Sequence, residues 1–550
     1  MTNTLPPVLR KNLAALQKRD LSLFERICLP VGSDHIQKTP EGDNLYLVHR
    51  SWHCYDLSDE QVAVGLQELS DEHVFLFGLG AGEQLMALLR SDAASILAWD
   101  RDPWILRLLL GSHDISRDLA SGRLRLALGT DLLDALEDSV PRGALIHPFF
   151  ADQYRLEYQL IQTEIRPKRA LICAGTLFVD DLADALSDAG YSCFTWDTER
   201  LSTQELSLTA KRFGAELVAG INYSHGLAEA CRDLNLELVI WEIDPATDPP
   251  KAVHPPATHA QIFSYRRAQI PVFEAANFPN TSYLPLAANP RRRFPVLLEG
   301  EEKANYSAPV AFVGASMRAQ AHAFRNQLLA EYCLWRGGSP NEAQAECSLY
   351  LEALTNAHRD DLTRCHVPML LEEAMPQFLA AMRSNPNKPD PVVLVSEIVA
   401  ADKRMVYLAN LGQLGVHMWG DEAWQDLEEH GGLYRGSAGH RFELNKVYSG
   451  ATVNVDIGRI YQNDIVTMRV FDVMACGGFV LTERNDALLE LFTEGVEVEC
   501  YTSLEELVEK AAYFIEHPEE AAAIAARGLL AVTEQHNIDD RVARILQTLD

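Results

Sequence analysis

Several things are missing from this 550-residue chain, and each absence excludes a class of protein. Its ten cysteines (Cys28, Cys54, Cys173, Cys193, Cys231, Cys333, Cys347, Cys365, Cys476 and Cys500) are scattered, with no Cys-x-x-Cys pair and no metal-like spacing. In a chain of this length that reads as reduced, mostly buried thiols of a cytoplasmic protein, not as a disulfide framework. No run of about 18 apolar residues occurs that could span a bilayer. The first 30 residues hold no continuous apolar core, so nothing there reads as a signal peptide; "LRKNLAALQKRDLSLF" is an amphipathic helix interrupted by charges. Positive charge is short as well: 48 basic against 78 acidic residues give a formal charge of −30. That balance repels phosphate backbones and anionic lipid, which argues against nucleic-acid and membrane partners while leaving room for a local basic pocket.

What is present is a packed chain, 47% hydrophobic and 8% aromatic, long enough for three or four domains. It has no repeat of fixed short period. The recurring unit is an apolar β-branched run, a turn and an amphipathic helix, the pattern of parallel α/β sheets. It comes in three blocks. In residues 1–168 a helical lead-in and "NLYLVHRSWHCYDL" precede the strand "HVFLF" (73–77), the turn Gly78-Leu-Gly80-Ala-Gly82 and the helix "EQLMALLRS". "ASILAWD" ending at Asp100, "RLRLALGTD" ending at Asp131 and "GALIHPFF" follow as strands. Residues 169–305 carry "RALICAG", "CFTWD", "AELVAGIN", "LELVIWEID" and "AQIFSY", then "TSYLPLAANP"; the polar, proline-bearing stretch 290–307 reads as a linker. Residues 306–550 open with "APVAFVG". A long helical stretch over 318–383 follows, then "LGVHMWG", "GLYRG", "ATVNVDI", "GGFVLTE" and "VECYTS", and two closing helices.

The last block carries a constellation. Arg469-Val-Phe-Asp472-Val-Met-Ala-Cys-Gly477-Gly478 reads as an apolar helix, Arg469 to Cys476, running through a glycine turn into a strand. Gly477 and Gly478 permit left-handed backbone and close approach to a ligand. Asp472 lies one turn from Arg469, and Asp464 stands eight residues earlier. A carboxylate can accept from a ribose diol, and an arginine can offset a diphosphate. The alternative is that Asp472 caps or pairs with Arg469 and the glycines only make a turn.

This segment resembles the CgeB-like (spore-maturation-protein) glycosyltransferase family, whose members read R-x-F-D/E-x-x-A-C-G-G-F-x-L-T. "LLELFTEGVEVECYTSLEELVEK", "LGQLGVHMWGDEAW" with "LYRG", "APVAFVGA", "VIWEIDP", "IFSYRRAQIPVFEAANF" and "YLPLAANP" extend the resemblance over roughly 170–550. With the first block read as Rossmann-like from its own strands and glycine turn, the chain is expected to hold three Rossmann-like domains, and the resemblance implies that the last two form a GT-B glycosyltransferase with an interlobe cleft: an acceptor-side lobe at 169–305 and a nucleotide-sugar-binding lobe at 306–550. On it, Gly314 and Ala315 turn the first strand of the donor lobe toward a diphosphate, and Arg435 and Gly436 lie beside the base. Arg469 offsets the diphosphate, Asp472 holds the ribose, and Gly477 and Gly478 approach the sugar. Asp464 takes the place of the first acid of a Glu-x7-Glu pattern that this chain lacks. Trp419 is either a stacking surface or core. For a general base the acceptor side offers His225, Glu242 and Asp244, with Asp244 ahead because it ends a strand where α/β clefts open.

The first block's Gly78-x-Gly80-x-Gly82 and Asp100 resemble a class I methyltransferase core, and equally the Rossmann domain of motility-associated-factor flagellar glycosyltransferases, through Asp100-Arg-Asp102-Pro103. A scaffold or docking module is the third reading of residues 1–168. No methyltransferase tetrad follows the fourth strand, so S-adenosylmethionine is not expected. Asp100-Arg-Asp102 is not in a metal-dependent setting, and no metal is expected. The expectation is therefore a bacterial cytoplasmic enzyme moving a sugar from a nucleotide-diphosphate sugar to a protein or glycan acceptor, flagellin or another surface structure among them. The alternatives are a bifunctional methyltransferase–glycosyltransferase and an inactive glycosyltransferase-like assembly protein.

Overall fold

Runs of β-branched and aromatic residues, buried on both faces, pair side by side into three parallel sheets. The computed structural model describes residues 5–549 except 29–31, 49–50, 68–72, 138–143, 176, 245–249, 386 and 440–441. The first sheet joins His73–Phe77, Ser95–Asp100, Leu124–Leu128 and Ala144–Ile146, all parallel, in the spatial order 3-2-1-4. Ahead of it stand the helices Pro7–Arg19 and Leu21–Cys28, and then an antiparallel sheet of Ile36–Lys38, Asn44–Val48 and Ser51–Cys54. Asp131 does not end a strand, as the sequence suggested; it opens the helix Asp131–Glu137, and its carboxylate accepts from the Leu128 amide at 2.9 Å.

The second sheet comprises Arg169–Cys173, Ser192–Trp196, Leu217–Ile221, Glu237–Glu242, Ala260–Ser264 and Asn280–Tyr283, in the order 2-1-3-4-5-6. The third comprises Ala308–Val313, Val416–Trp419, Leu433–Tyr434, Ala451–Val455, Val480–Glu483 and Glu499–Tyr501, all parallel. Its order is 3-2-1-4-5-6, the doubly wound arrangement whose direction of winding reverses between strands 1 and 4. The expected helical stretch over 318–383 is four helices: Arg318–Arg336, Pro340–Arg359, Val367–Ala374 and Pro376–Arg383. Left-handed Gly337 and Gly338 end the first, and Pro340 and Pro376 open the second and fourth, where a missing N–H costs nothing. A further helix, Pro391–Leu411, is capped by the Asp390 carboxylate, which accepts from the Val392 amide at 2.9 Å. The stretch expected as a linker contains the helix Gly300–Tyr306.

Contacts gather the chain into two compact units. One spans Met1–Glu242, Pro250–Phe263 and Phe273–Thr281; the other spans Ile243–Pro249, Ser264–Val272 and Ser282–Asp550. In the first unit a continuous apolar core runs from Leu16 to Phe278, and a charged knot is buried beside it. Arg26 donates to Glu205 at 2.6 and 2.7 Å, to Asp131 at 2.8 Å and to the Leu128 carbonyl at 2.7 Å. Arg212 closes the knot on Asp131 and Asp134. Removing one partner from such a network leaves the others charged and unpaired in the interior. Arg26→Ala is therefore expected to cost about 3–5 kcal/mol, measured as a lowered denaturation midpoint; a loss below ~1 kcal/mol would show the knot to be solvated.

Candidate functional site

In open α/β sheets, ligands settle beyond the carboxyl ends of the strands at the point where the winding reverses. In the third sheet that point lies between Ala308–Val313 and Ala451–Val455, and arginines crowd it. Arg469, on the first turn of the helix Met468–Ala475, donates through Nε to the Val313 carbonyl at 2.8 Å and pairs through Nη1 with Asp456. Asp456, 2% exposed, also accepts from Thr467 and Thr482, each at 2.9 Å. The Arg469 guanidinium lies 4.7 Å from the centre of the Phe312 ring, and Arg404 stands 5.9 Å from the same ring.

Arg404 is the unusual member. It projects from the buried helix Pro391–Leu411, is 9% exposed, and donates through Nη1 to the Ala315 carbonyl at 2.8 Å. Its Nε is buried without a hydrogen-bond partner, and among the described residues it forms no ion pair. Burial, reinforced by the charges of Arg469 and Arg459, pushes its guanidinium down to about 9. A neighbouring cation on the same helix, Lys403, is already neutralised by Glu483. Arg459 pairs with Glu397 at 3.2 Å. Among the described residues Arg404, Arg459 and Arg469 thus form ion pairs only with Glu397 and Asp456, leaving one positive charge over at a strand edge.

The loop joining Val313 to the helix Arg318–Arg336 is held tightly around this charge. The Ser316 amide and hydroxyl both donate to Asp421, each at 2.6 Å. A Cβ on Gly314 would lie 2.8 Å from Arg469 Nη2, and one on Gly420 would overlap the Gly314 carbonyl, so glycine at both positions lets backbone and guanidinium meet. A 19-residue helix begins at Arg318, and free amides at such an end favour anions. Chemically, such an arrangement can hold an anion.

The structure brings Gly314, Ala315 and Arg469 together and places the other expected residues elsewhere. Asp472 pairs with Arg293 at 3.1 Å and is largely buried. Gly477 and Gly478 lie past the other end of the helix Met468–Ala475, at the amino edge of Val480–Glu483; a Cβ on Gly477 would touch Pro295, and one on Gly478 the Tyr448 carbonyl. Asp464 pairs with Arg266 at 3.0 Å. The Trp419 side chain is 2% exposed, within the sheet. Arg435 donates to the Asn305 carbonyl at 2.5 Å, and the Gly436 carbonyl accepts from the Gly420 amide at 2.9 Å. His225 follows the strand Leu217–Ile221 and Asp244 the strand Glu237–Glu242, both exposed, whereas Glu242 is buried and accepts from the Tyr223 amide. Pro245, next to Asp244, lies outside the described residues. Among the described residues no group of three or more His, Cys, Asp or Glu is placed to hold a metal ion, and no helix is long and apolar enough to cross a membrane.

Sequence reasoning missed Arg404, Arg459 and Glu397. For Glu397 and Arg404 a signal was available: "EIVAADKRMVYLAN" puts two acids and two adjacent bases inside an otherwise apolar helix, where charge needs a reason.

In the first unit the glycine turn at 78–82 is occupied by the chain itself. All three glycines are left-handed, but a Cβ on Gly80 would overlap the His147 ring, one on Gly78 would lie 2.6 Å from Phe150, and one on Gly82 would lie 2.7 Å from Leu109. Asp100 accepts from the Leu79 and Asp102 amides, each at 2.9 Å, and from the Tyr154 hydroxyl at 2.7 Å. The glycines here leave room for side chains of the chain itself.

Residues 403–547 match a family described as glycosyl transferase-like, a span of 145 of the 550 residues. No curated protein matches the chain. Among solved structures, HepE of Anabaena, in complex with UDP and glucose, is 11% identical, with 70% of this chain and 99% of that chain covered and a TM-score of 0.38. A glycosyltransferase from Rickettsia africae is 8% identical over 70% of this chain and 98% of that one, with a TM-score of 0.42. The MAf glycosyltransferase of Magnetospirillum magneticum is 12% identical over 43% and 53%, with a TM-score of 0.22.

The filled turn yields two expectations. Millimolar S-adenosylmethionine should leave the melting temperature unmoved; a saturable rise would show that His147 yields the space. Burial lowers the His147 imidazole to about 4, so the fold resists its protonation, and the stability this side chain permits is lost as pH falls from 6.5 towards 4. Measured against His147→Gln, the wild type should lose about 3 kcal/mol of relative stability between pH 7 and pH 4; a constant difference would contradict the assignment.

Proposed function

We propose that the chain is a GT-B-type glycosyltransferase that moves a sugar from a nucleoside-diphosphate sugar to an acceptor hydroxyl. Domains at 1–168, 169–305 and 306–550 would serve as scaffold or docking module, acceptor lobe and donor lobe. The observation that carries this reading is Arg404, a buried guanidinium without a carboxylate of its own at the switch point of a doubly wound sheet. An arginine stays charged in a protein and is built to grip phosphate oxygens. A multiply negative diphosphate supplies the missing counter-charge, and the charge that develops on it as the sugar departs is stabilised by groups already in place. The match of 403–547 to the glycosyl transferase-like family supports the same chemistry, since it covers Arg404, Asp456, Arg459 and Arg469.

In this reading the Gly314–Ala315 turn, Arg404, Arg459 and Arg469 hold the diphosphate. Asp456 and Asp472 keep Arg469 and Arg293 in place, and Asp472 reaches a ribose only by exchanging Arg293 for it. Arg435 and Gly436 border the base, and Asp464 stands on the sugar side with Arg266. Asp244 serves as the general base, with His225 as its alternate. The CgeB-like pattern over 469–482 and the motility-associated-factor pattern over 78–103 suggest a bacterial, cytoplasmic enzyme with a protein or glycan acceptor such as flagellin.

Saturating the site with UDP at 100 times its dissociation constant adds about 2.7 kcal/mol to stability. A panel of nucleotides scored by thermal shift should find at least one diphosphate that stabilises the wild type. Arg404→Ala should weaken that nucleotide roughly 10- to 100-fold, the worth of a charge-assisted contact. Unchanged affinity in Arg404→Ala would remove the reading.

A further inference from the structure

Glu397 is 2% exposed on the helix Pro391–Leu411, two turns before Arg404 and on the same face. One of its oxygens, Oε1, accepts from Arg459 Nη1 at 3.2 Å and from the Tyr461 hydroxyl. The other, Oε2, is buried with no hydrogen-bond partner. A carboxylate retained only to fasten helix to loop would be expected to have both oxygens satisfied, because an unmet buried acceptor costs free energy. The loop is moreover fastened elsewhere. Gln462 donates to the Tyr265 hydroxyl at 2.8 Å, and Arg266 donates to the Tyr461 carbonyl at 3.1 Å and pairs with Asp464. What Glu397 fixes is the direction of the Arg459 guanidinium, both directly and through the Tyr461 hydroxyl, which donates to Glu397 and accepts from Arg459 Nη1 at 2.9 Å. With Nη1 engaged, Arg459 keeps Nε and Nη2 for another acceptor, and it lies close enough to Arg404 for its charge to act there.

We propose that Glu397 is a positioning residue: it turns Arg459 toward the diphosphate held by Arg404 and Arg469. The inference rests on the donor-binding reading above and adds a residue outside its ligand contacts. Because the grip runs through a single oxygen, an amide can reproduce it, whereas an apolar side chain cannot.

The test is a double-mutant cycle read by calorimetric titration of the full chain with UDP, or with whichever nucleotide the panel selects. Glu397→Ala and Arg459→Ala should each weaken binding roughly tenfold, and the double variant should bind no more weakly than Arg459→Ala alone, since Glu397 acts only through that arginine. Glu397→Gln should bind within about threefold of wild type. Glu397→Leu keeps the buried volume and should behave as Glu397→Ala, so the cycle stands even where the alanine variant does not fold. Additive losses in the double variant, or wild-type affinity in Glu397→Leu, would overturn the role of Glu397 while Arg404→Ala still lost binding. Should Arg404→Ala also bind normally, the donor-binding reading itself would fall, a separate outcome.

Discussion

A guanidinium sealed into the interior beside two others, with no carboxylate to answer it, is the constraint around which the second unit is organised. Burying a charge is costly unless something opposite meets it. Several other cations of this unit obey that rule: Lys403 has Glu483, Arg469 has Asp456, Arg293 has Asp472 and Arg266 has Asp464, while the buried Arg541 spreads its donors over the Pro285 and Gln535 carbonyls and His536. Arg404 instead rests on a single carbonyl, that of Ala315. What sets Arg404 apart is its place at the carboxyl end of the strands with a buried Nε that has no partner, and the proposed diphosphate would answer that charge.

The surrounding elements are arranged about that charge. The winding order 3-2-1-4 brings the ends of Ala308–Val313 and Ala451–Val455 side by side, so that the first strand supplies a backbone turn and the fourth supplies Asp456. Gly314 and Gly420 exist because a Cβ at either would displace Arg469 or the Gly314 carbonyl. The helix Pro391–Leu411 can carry Glu397, Lys403 and Arg404 inside the protein because each faces this edge. In the first unit the same glycine chemistry has the opposite use: left-handed Gly78, Gly80 and Gly82 make room for Phe150, His147 and Leu109.

Much of the architecture could be read from the sequence. "HVFLF" is the strand His73–Phe77, "APVAFVG" contains Ala308–Val313, and the helix expected from Arg469 to Cys476 runs from Met468 to Ala475. These elements are dictated locally, by apolar period and by the turn residues that follow. The helical stretch over 318–383 was legible as helix but not as four helices, because its breaks depend on left-handed glycines and on prolines that open a helix as readily as they end one. Of the candidate site, Gly314, Ala315 and Arg469 stood in recognisable text. Arg404 and Glu397 stood there only as charges inside an apolar helix; what singles them out among such charges is long-range, a guanidinium and a carboxylate oxygen buried without full pairing. Gly477 and Gly478 drew the eye as a ligand-facing turn, and the structure shows them packed against Pro295 and the Tyr448 carbonyl.

The most direct measurement is a crystal of the full chain soaked in UDP. The account predicts density for the diphosphate in contact with the Arg404 guanidinium, the Arg469 guanidinium and the turn at Gly314–Ala315. Diphosphate density at any other place, or an Arg404 still without an anion at saturating UDP, would contradict it.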